Sequence, residues 1–297
     1  GCLSMLLCLA TYSQNEAQIW YFGDNVGLDF STNPPSVISG MSGVDNSDNV
    51  LESAASISDG DGNFLFGTNG KDIYSADLQK RGTLPNGSNF SIVQGAQIIK
   101  GPGGGNTYYI STVPAGDNGC TSPAPSLIPV TVTGTSGNNI TIGTPITLPQ
   151  ANVSGGQMIL PKTNPSTGNV IDEYWIIYHE LLTNNFHVYE LTAGGVNFVK
   201  KESAGPNVTN CTGGGDVIAF MKSNGCYNQF AMSNNDKVNL FDFDTDDATI
   251  TFTNSQTVTA AYGIEFSPSG KKVFVTTGLT GGDAVDLYSI NVSPGGT

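Results

Sequence analysis

One pattern of short strands and turns recurs five times along this chain. Each copy opens with small residues and an apolar strand, turns into an aromatic strand, and in four copies reaches a third strand centred on an aromatic residue. The openings are residues 55–57, 96–98, 156–158, 216–218 and 263–265. Equivalent positions 57, 98, 158, 217 and 264 are separated by 41, 60, 59 and 47 residues. A unit of several strands recurring about every 40 to 50 residues is typical of a β-propeller blade.

The sequence therefore predicts an all-β fold, namely a β-propeller of about six blades. The pattern leaves open whether the ring of blades is closed, open or incomplete. No stretch keeps a helical apolar period over three turns, and the 38 glycines favour turns between strands. An apolar strand within residues 18–30 precedes the first full repeat, and we expect it to complete a blade begun by the other terminus. Residues 14–297 are predicted to form one domain.

The charge balance restricts the partners of such a domain. The chain has 25 acidic and 11 basic residues, a formal net charge of −14, and Arg81 is its only arginine. Nucleic acids and anionic membranes are bound through clustered lysine and arginine, so neither is expected as a partner. Cations, neutral glycans and proteins suit this surface better.

Residues 1–13 look like a signal peptide, because the apolar run at positions 3–10 is too short to span a bilayer. The alternative is a buried first strand. After removal of residues 1–13, three cysteines remain, Cys120, Cys211 and Cys226. Cys211 and Cys226 flank a predicted inner strand and can form a disulfide in an exported protein, which leaves Cys120 unpaired on a loop insertion at residues 114–126.

Several segments carry a family resemblance. These are residues 15–23 (NEAQIWYFG), 27–30 (GLDF), 57–59 (ISD), 62–66 (GNFLF), Tyr174-Trp175 with His179, 240–244 (LFDFD) and 262–268 (YGIEFSP). Together they resemble propeller-like modules of large exported proteins of gliding and related Bacteroidetes, and residues 262–272 are also similar to WD40-like repeats of TolB-type propellers. The resemblance implies export by the type IX system and a place in surface adhesins, so secretion or cell-surface display is expected.

Alternating carboxylates make a candidate metal site. Asp242, Asp244, Asp246 and Asp247 lie on a strand that leads into a turn, and residues 59–63 (DGDGN) form a similar but weaker pattern. Oxygen ligands at this spacing suit Ca²⁺, the one cofactor that the sequence suggests. Aspartate, asparagine and glycine also dominate hairpin turns for conformational reasons, and neither loop has the glutamate of an EF-hand.

Aromatic and histidine side chains are the candidate ligand-binding residues, namely Trp175, His179, His187 and Tyr262. A hairpin is predicted from 173–181 to 186–191, and we expect it to bring His179 and His187 together, with Glu190 as a third member of a metal or acid–base cluster. Residues 179–183 (HELLT) begin like a zinc-protease motif, but threonine replaces the second histidine. Aromatic residues at fixed blade positions also pack between sheets.

The favoured function is a non-catalytic, secreted or cell-surface propeller that binds glycans or proteins in the manner of an adhesin. No nucleophile elbow of a serine hydrolase is present, and one arginine cannot replace the arginine cluster of a sialidase. Two alternatives stay open. One is a carbohydrate-active hydrolase or lyase that uses Asp or Glu at the channel mouth. The other is a structural subunit that self-assembles through blade edges.

Overall fold

The computed structural model describes residues 14–22, 26–41, 53–88, 92–113, 123–134, 138–150, 152–164, 166–208, 220–277 and 286–292. Over these ranges the chain forms 22 β-strands and one short 3₁₀ turn, Gln14–Ala17. The predicted all-β fold is confirmed, and its sheets form a β-propeller. No helix within these ranges is long and apolar enough to cross a membrane.

The described strands form five antiparallel sheets that follow one another along the chain. The first sheet contains β1 (Ile19–Phe22), β2 (Val26–Asp29) and β3 (Ser36–Ser39). The second contains β4 (Ala55–Ser58), β5 (Phe64–Thr68), β6 (Asp72–Ser75) and β7 (Lys80–Thr83). The third contains β8 (Ala96–Lys100), β9 (Thr107–Thr112), β10 (Ser126–Thr133), β11 (Asn139–Ile142) and β12 (Ile146–Thr147). Both β11 and β12 pair with β10.

The fourth sheet contains β13 (Val153–Thr163), β14 (Val170–Glu180), β15 (Asn185–Thr192) and β16 (Gly195–Ser203). Its central hairpin, β14 to β15, confirms the hairpin read from the sequence. The fifth sheet contains β17 (Met221–Ser223), β18 (Gln229–Ser233), β19 (Asn235–Phe243), β20 (Ile250–Phe266), β21 (Lys272–Thr277) and β22 (Leu287–Asn291).

The long strand β20 explains why the structure has five sheets where about six blades were expected. It runs for 17 residues, pairing first with β19 and then, from Ala261 onward, with β21. Two sequence repeats are thereby joined into one six-stranded sheet. This sheet has a first half, β17 to the start of β20, and a second half, the end of β20 with β21 and β22.

The expectation that the N-terminal strand completes a distant blade is wrong. Within the described part of the chain, β1 pairs with β2 in a local hairpin, and β3 completes that small sheet. Gly27 makes this hairpin compact, because a Cβ at this position would lie 2.6 Å from Cδ1 of the Tyr21 ring. The ring of Tyr21 therefore lies across β2, where any other residue would displace it.

Apolar cores fill the spaces between successive sheets. Ile19 and Tyr21 of the first sheet pack on Tyr74 of the second. Comparable cores lie between the second and third sheets, the third and fourth, the fourth and the first half of the fifth, and the two halves of the fifth. Each sheet after the first thus has a buried face toward the sheet before it, which is the packing that builds a propeller.

Candidate functional site

A cavity of about 490 Å³ lies where inner strands of all five sheets converge. Its walls come from β1, β4, β8, β13 and β17 together with residues one or two positions before three of these strands. The lining residues are Trp20, Tyr21, Phe22, Ala54, Ala55, Ser56, Gln94, Ala96, Gln97, Ile98, Met158, Ile159, Phe220, Met221, Lys222 and Ser223. We call this space the channel cavity. A cavity of this size has room for a small ligand, and the inner strands give it rigid walls.

The lining of the channel cavity is aromatic, amide and hydroxyl rather than acidic. None of the described lining residues is Asp, Glu, His or Cys. Lys222 is the cation of the wall, and its Nζ lies 3.3 Å from Oε2 of Glu265. Burial, aided by the nearby Asp29 carboxylate, raises the pKa of Tyr21, so this phenol stays neutral. Among these described residues there is no pair of carboxyl groups of the kind that glycoside hydrolysis uses.

A buried hydrogen-bond network stands behind one wall of the cavity. The fully buried Gln157 donates from Nε2 to the carbonyl oxygen of Gln94 at 2.6 Å, and its Oε1 accepts from Oγ of Ser111 at 2.5 Å. The Ser111 hydroxyl also lies 2.6 Å from the Tyr178 hydroxyl. Gln97 donates from Nε2 to the carbonyl oxygen of Gln157 at 2.9 Å. Satisfied polar networks of this kind fix the relative positions of the strands that they join.

The sequence analysis did not single out these glutamines, although one signal was available. Gln97 and Gln157 occupy the same position in the openings of two successive repeats. A polar residue that recurs at an otherwise apolar inner-strand position indicates a shared structural task. Trp20 was also missed as a lining residue, because an apolar strand gives no sign of which aromatic side chain stays exposed.

Trp175, a predicted ligand-binding residue, is buried and serves packing in this structure. Only 4% of it is exposed, and its Nε1 donates to the carbonyl oxygen of Thr245 at 2.8 Å. Nζ of Lys162 lies 4.6 Å from the centre of the indole ring and bonds Glu173 and Glu190. Burial opposes the charge of Lys162, yet the two carboxylates raise its pKa. With Lys162 over one face and almost all of the side chain buried, the indole offers no exposed face to a sugar ring.

The two histidines do not form the expected cluster. In the ladder between β14 and β15, His179 is opposite Phe186, whereas His187 is opposite Tyr178. Because cross-strand partners share a face, the two imidazoles lie on opposite faces of the fourth sheet. Glu190 is opposite Trp175 and bonds Lys162. The prediction of a joint site of His179, His187 and Glu190 is therefore wrong, because the register separates them.

Each histidine has its own environment. His179 is fully buried beside the Phe186 ring, with ring centroids 5.1 Å apart, and burial lowers its pKa to about 4. His187 is buried too, and its Nε2 lies 3.4 Å from Oε2 of Glu180. Burial also lowers the pKa of His187, against the opposing effect of Glu180. Both imidazoles are therefore neutral at pH 7, and neither reaches the channel cavity.

The aspartate-rich turn does not converge on a metal position. Oδ1 of Asp242 accepts from Nε2 of Gln229 at 3.0 Å, and Oδ1 of Asp244 accepts from the amide of Asp246 at 2.8 Å. Oδ1 of Asp247 accepts from the amide of Thr249 at 2.8 Å. Within the described ranges, no three His, Cys, Asp or Glu side chains are close enough to hold a metal ion. These carboxylates stabilise a turn, and the calcium prediction does not fit this arrangement.

The same turn lines a second cavity of about 420 Å³, separate from the channel cavity. Asp242, Asp244 and Asp246 contribute to its wall, together with neutral residues of the same strands. Oδ1 of Asp246 also accepts from Oγ1 of Thr163 at 3.0 Å, which ties the turn to the fourth sheet. Asp242, Asp244 and Asp246 therefore lie in a turn region rather than at the channel cavity.

The remaining predicted residues lie apart from these sites. Tyr262 is half-buried on β20, and its carbonyl oxygen accepts from Oγ of Ser233 at 2.6 Å. Cys226 is exposed in the turn between β17 and β18. Cys120, Cys211 and the segment 1–13 lie outside the described residues, so the disulfide and the signal peptide stay predictions.

Comparison with known proteins supports the fold and no family. No family model and no curated protein matches the sequence. A candidate 6-phosphogluconolactonase from Bacteroides uniformis is similar in structure, with a TM-score of 0.52, 11% identity, and coverage of 93% of this chain and 78% of that one. The β-propeller domain of Cps50 (Swd1) from Myceliophteria thermophila has a TM-score of 0.48 and 12% identity, with coverage of 90% of this chain and 76% of that one. A protein of unknown function from Desulfotomaculum acetoxidans has a TM-score of 0.46 and 15% identity, with coverage of 85% of this chain and 72% of that one.

Proposed function

We propose that this chain is a non-catalytic binding module, exported or displayed at the cell surface, that binds a neutral glycan or a protein segment in the channel cavity. The observation that supports it most is the composition of that cavity, which combines exposed aromatic rings and amides with no carboxylate in its described lining. Aromatic rings and neutral hydrogen-bonding groups are the usual means of binding uncharged ligands without chemistry.

Partially exposed side chains supply the contacts. Trp20 is 47% exposed and Phe22 is 40% exposed, so both rings have surface left for a ligand. Gln97 uses its Nε2 to hold Gln157, and its Oε1 accepts no hydrogen bond from the described residues. The predicted signal segment and the resemblance to exported Bacteroidetes modules support the surface location. Adhesion is the role that these expectations suggest.

Retention on immobilised neutral polysaccharides and glycoproteins, with parallel detection of released products, tests this function. We expect retention without products. Ala54→Tyr is expected to abolish retention, because Ala54 lines the cavity and a larger side chain occupies ligand space. Ala193→Tyr makes the same change at an exposed turn outside the lining and serves as the control. Products from any ligand, or equal retention of both variants, would contradict the proposal.

A further inference from the structure

The first sheet has an uncovered apolar face. Cross-strand pairing places Trp20, Leu28 and Val37 in one row, and Phe22, Val26 and Ser39 in the adjacent row of the same face. The Phe30 ring extends this surface, with its centroid 4.8 Å from that of Trp20. The exposed fractions are 47% for Trp20, 41% for Phe30 and 75% for Val37. We call this surface the first-sheet face.

Wherever two successive sheets meet, the equivalent apolar surface is buried between them. Five apolar cores connect the first sheet to the second half of the fifth in series, and the opposite side of the first sheet takes part in one of them through Ile19 and Tyr21. The first-sheet face is thus built like an inter-sheet packing surface but has no described sheet against it. Exposed apolar patches of this kind mark association sites.

The second half of the fifth sheet does not cover this face. Its own outward surface carries Phe274 and Leu287, which are 37% and 68% exposed. Glu265 pairs with Phe274 on that surface, and Lys272 lies two residues before Phe274 on the same strand. Both terminal surfaces of the series therefore remain exposed to solvent, and only that of the fifth sheet carries charge.

The first-sheet face itself presents no charge to a second copy. The two rows of the first-sheet face contain no ionisable side chain, although the chain carries a net charge of −14. A twofold interface brings a surface against itself, so charged surfaces repel and uncharged apolar surfaces are self-complementary. Two such sheets pack about 10 Å apart, as sheets within a domain do.

We propose that the first-sheet face packs against the same face of a second copy of this chain across a twofold axis. Three strands of four residues cover roughly 14 by 13 Å. This is below the area of about 800 Å² per partner in a standard interface, so the dimer is reversible and concentration-dependent. The dimer goes beyond the proposed binding function. Trp20 and Phe22 line the channel cavity as well, so a ligand that covers them competes with the dimer, whereas Val26, Phe30 and Val37 line no part of that cavity.

The two tryptophans allow a direct test, because Trp20 is exposed and Trp175 is buried. Molecular mass by light scattering and acrylamide quenching of fluorescence are measured on the wild-type chain without ligand, from micromolar to millimolar concentration. We expect the mass to rise from monomer toward dimer while quenching of the exposed tryptophan falls in step. A constant monomer mass, or a dimer whose Trp20 stays equally quenchable, would overturn the proposal.

A pair of variants locates the contact. Val37→Asp is expected to weaken dimerisation by about tenfold or more, since a buried unpaired carboxylate loses its hydration. Val199→Asp changes a valine that is 42% exposed on β16, and it should dimerise like the wild type. Equal dimerisation of the two variants refutes the contact. Shielding of Trp20 in a sample that is fully monomeric also refutes it, because the face is then covered by its own chain.

Discussion

The side chain of Gln94 forms two hydrogen bonds with the backbone of Met221, a residue 127 positions further along the chain. Nε2 donates to the carbonyl oxygen of Met221 at 2.8 Å, and Oε1 accepts from its amide at 2.8 Å. The amide side chain therefore pairs with β17 much as a neighbouring strand would. It connects the third and fifth sheets at the wall of the channel cavity.

Replacement of Gln94 by alanine should lower the free energy of unfolding by about 1–3 kcal/mol, because two backbone groups of Met221 lose their partners. Urea denaturation measures this change. Gln256→Ala is the matched control, since Gln256 is exposed on β20. If both variants unfold at the same urea concentration, the Gln94 contact contributes no stability.

The repeat pattern predicted the β-propeller, but it could not predict the Gln94 contact. Periodicity reports which residues form strands, whereas Gln94 acts through a side chain that reaches a backbone far away in sequence. The described residues form five sheets where about six blades were predicted, for a similar reason. Nothing local in residues 250–266 shows that one strand continues from one repeat into the next. Strand identity is a local property, and strand continuity depends on packing.

The candidate site was predicted least well where register decides the outcome. His179 and His187 are close in a hairpin, but a shift of one residue in pairing sends neighbouring side chains to opposite faces. The turn sets this register, and the sequence pattern did not show that Leu182 adopts a φ of 60° within it. The aspartate turn was located correctly, but the partners of its carboxylates come from the backbone and from other strands.

The buried His179 makes stability depend on pH. Its pKa falls from 6.5 in the unfolded chain to about 4 in the fold, so the unfolded state binds the proton more readily. Stability from this group is complete above pH 6.5 and is lost as the pH falls toward 4. The loss is on the order of 3 kcal/mol.

His179→Leu should flatten this dependence, because leucine fills the buried site without a titrating group. Unfolding free energies of the variant and the wild type are compared by urea denaturation between pH 7 and pH 4. The difference between the two curves isolates His179 from the carboxylates that titrate in the same range. Parallel curves would show that His179 does not bind its proton preferentially in the unfolded state.

Trp175 offers a test that separates packing from ligand binding. Trp175→Phe keeps an aromatic ring but removes the hydrogen bond from Nε1 to Thr245, so we expect a loss of about 1–2 kcal/mol in the free energy of unfolding. Retention on any ligand bound by the wild-type chain should not change. A loss of retention at unchanged stability would restore Trp175 as a ligand-binding residue.

Calcium should not stabilise the fold through the turn of Asp242 to Asp247. A ligand that binds only the folded state raises stability by mass action, by about 2.7 kcal/mol at one hundred times its Kd. The carboxylates of this turn accept separate hydrogen bonds and do not surround one point, so thermal unfolding is expected at the same temperature in millimolar calcium and in a chelator. Asp244→Asn is the control, because asparagine also accepts the amide hydrogen bond of Asp246 and keeps the turn. A calcium-dependent rise of the wild-type melting temperature that Asp244→Asn abolishes would show that the turn rearranges around the ion.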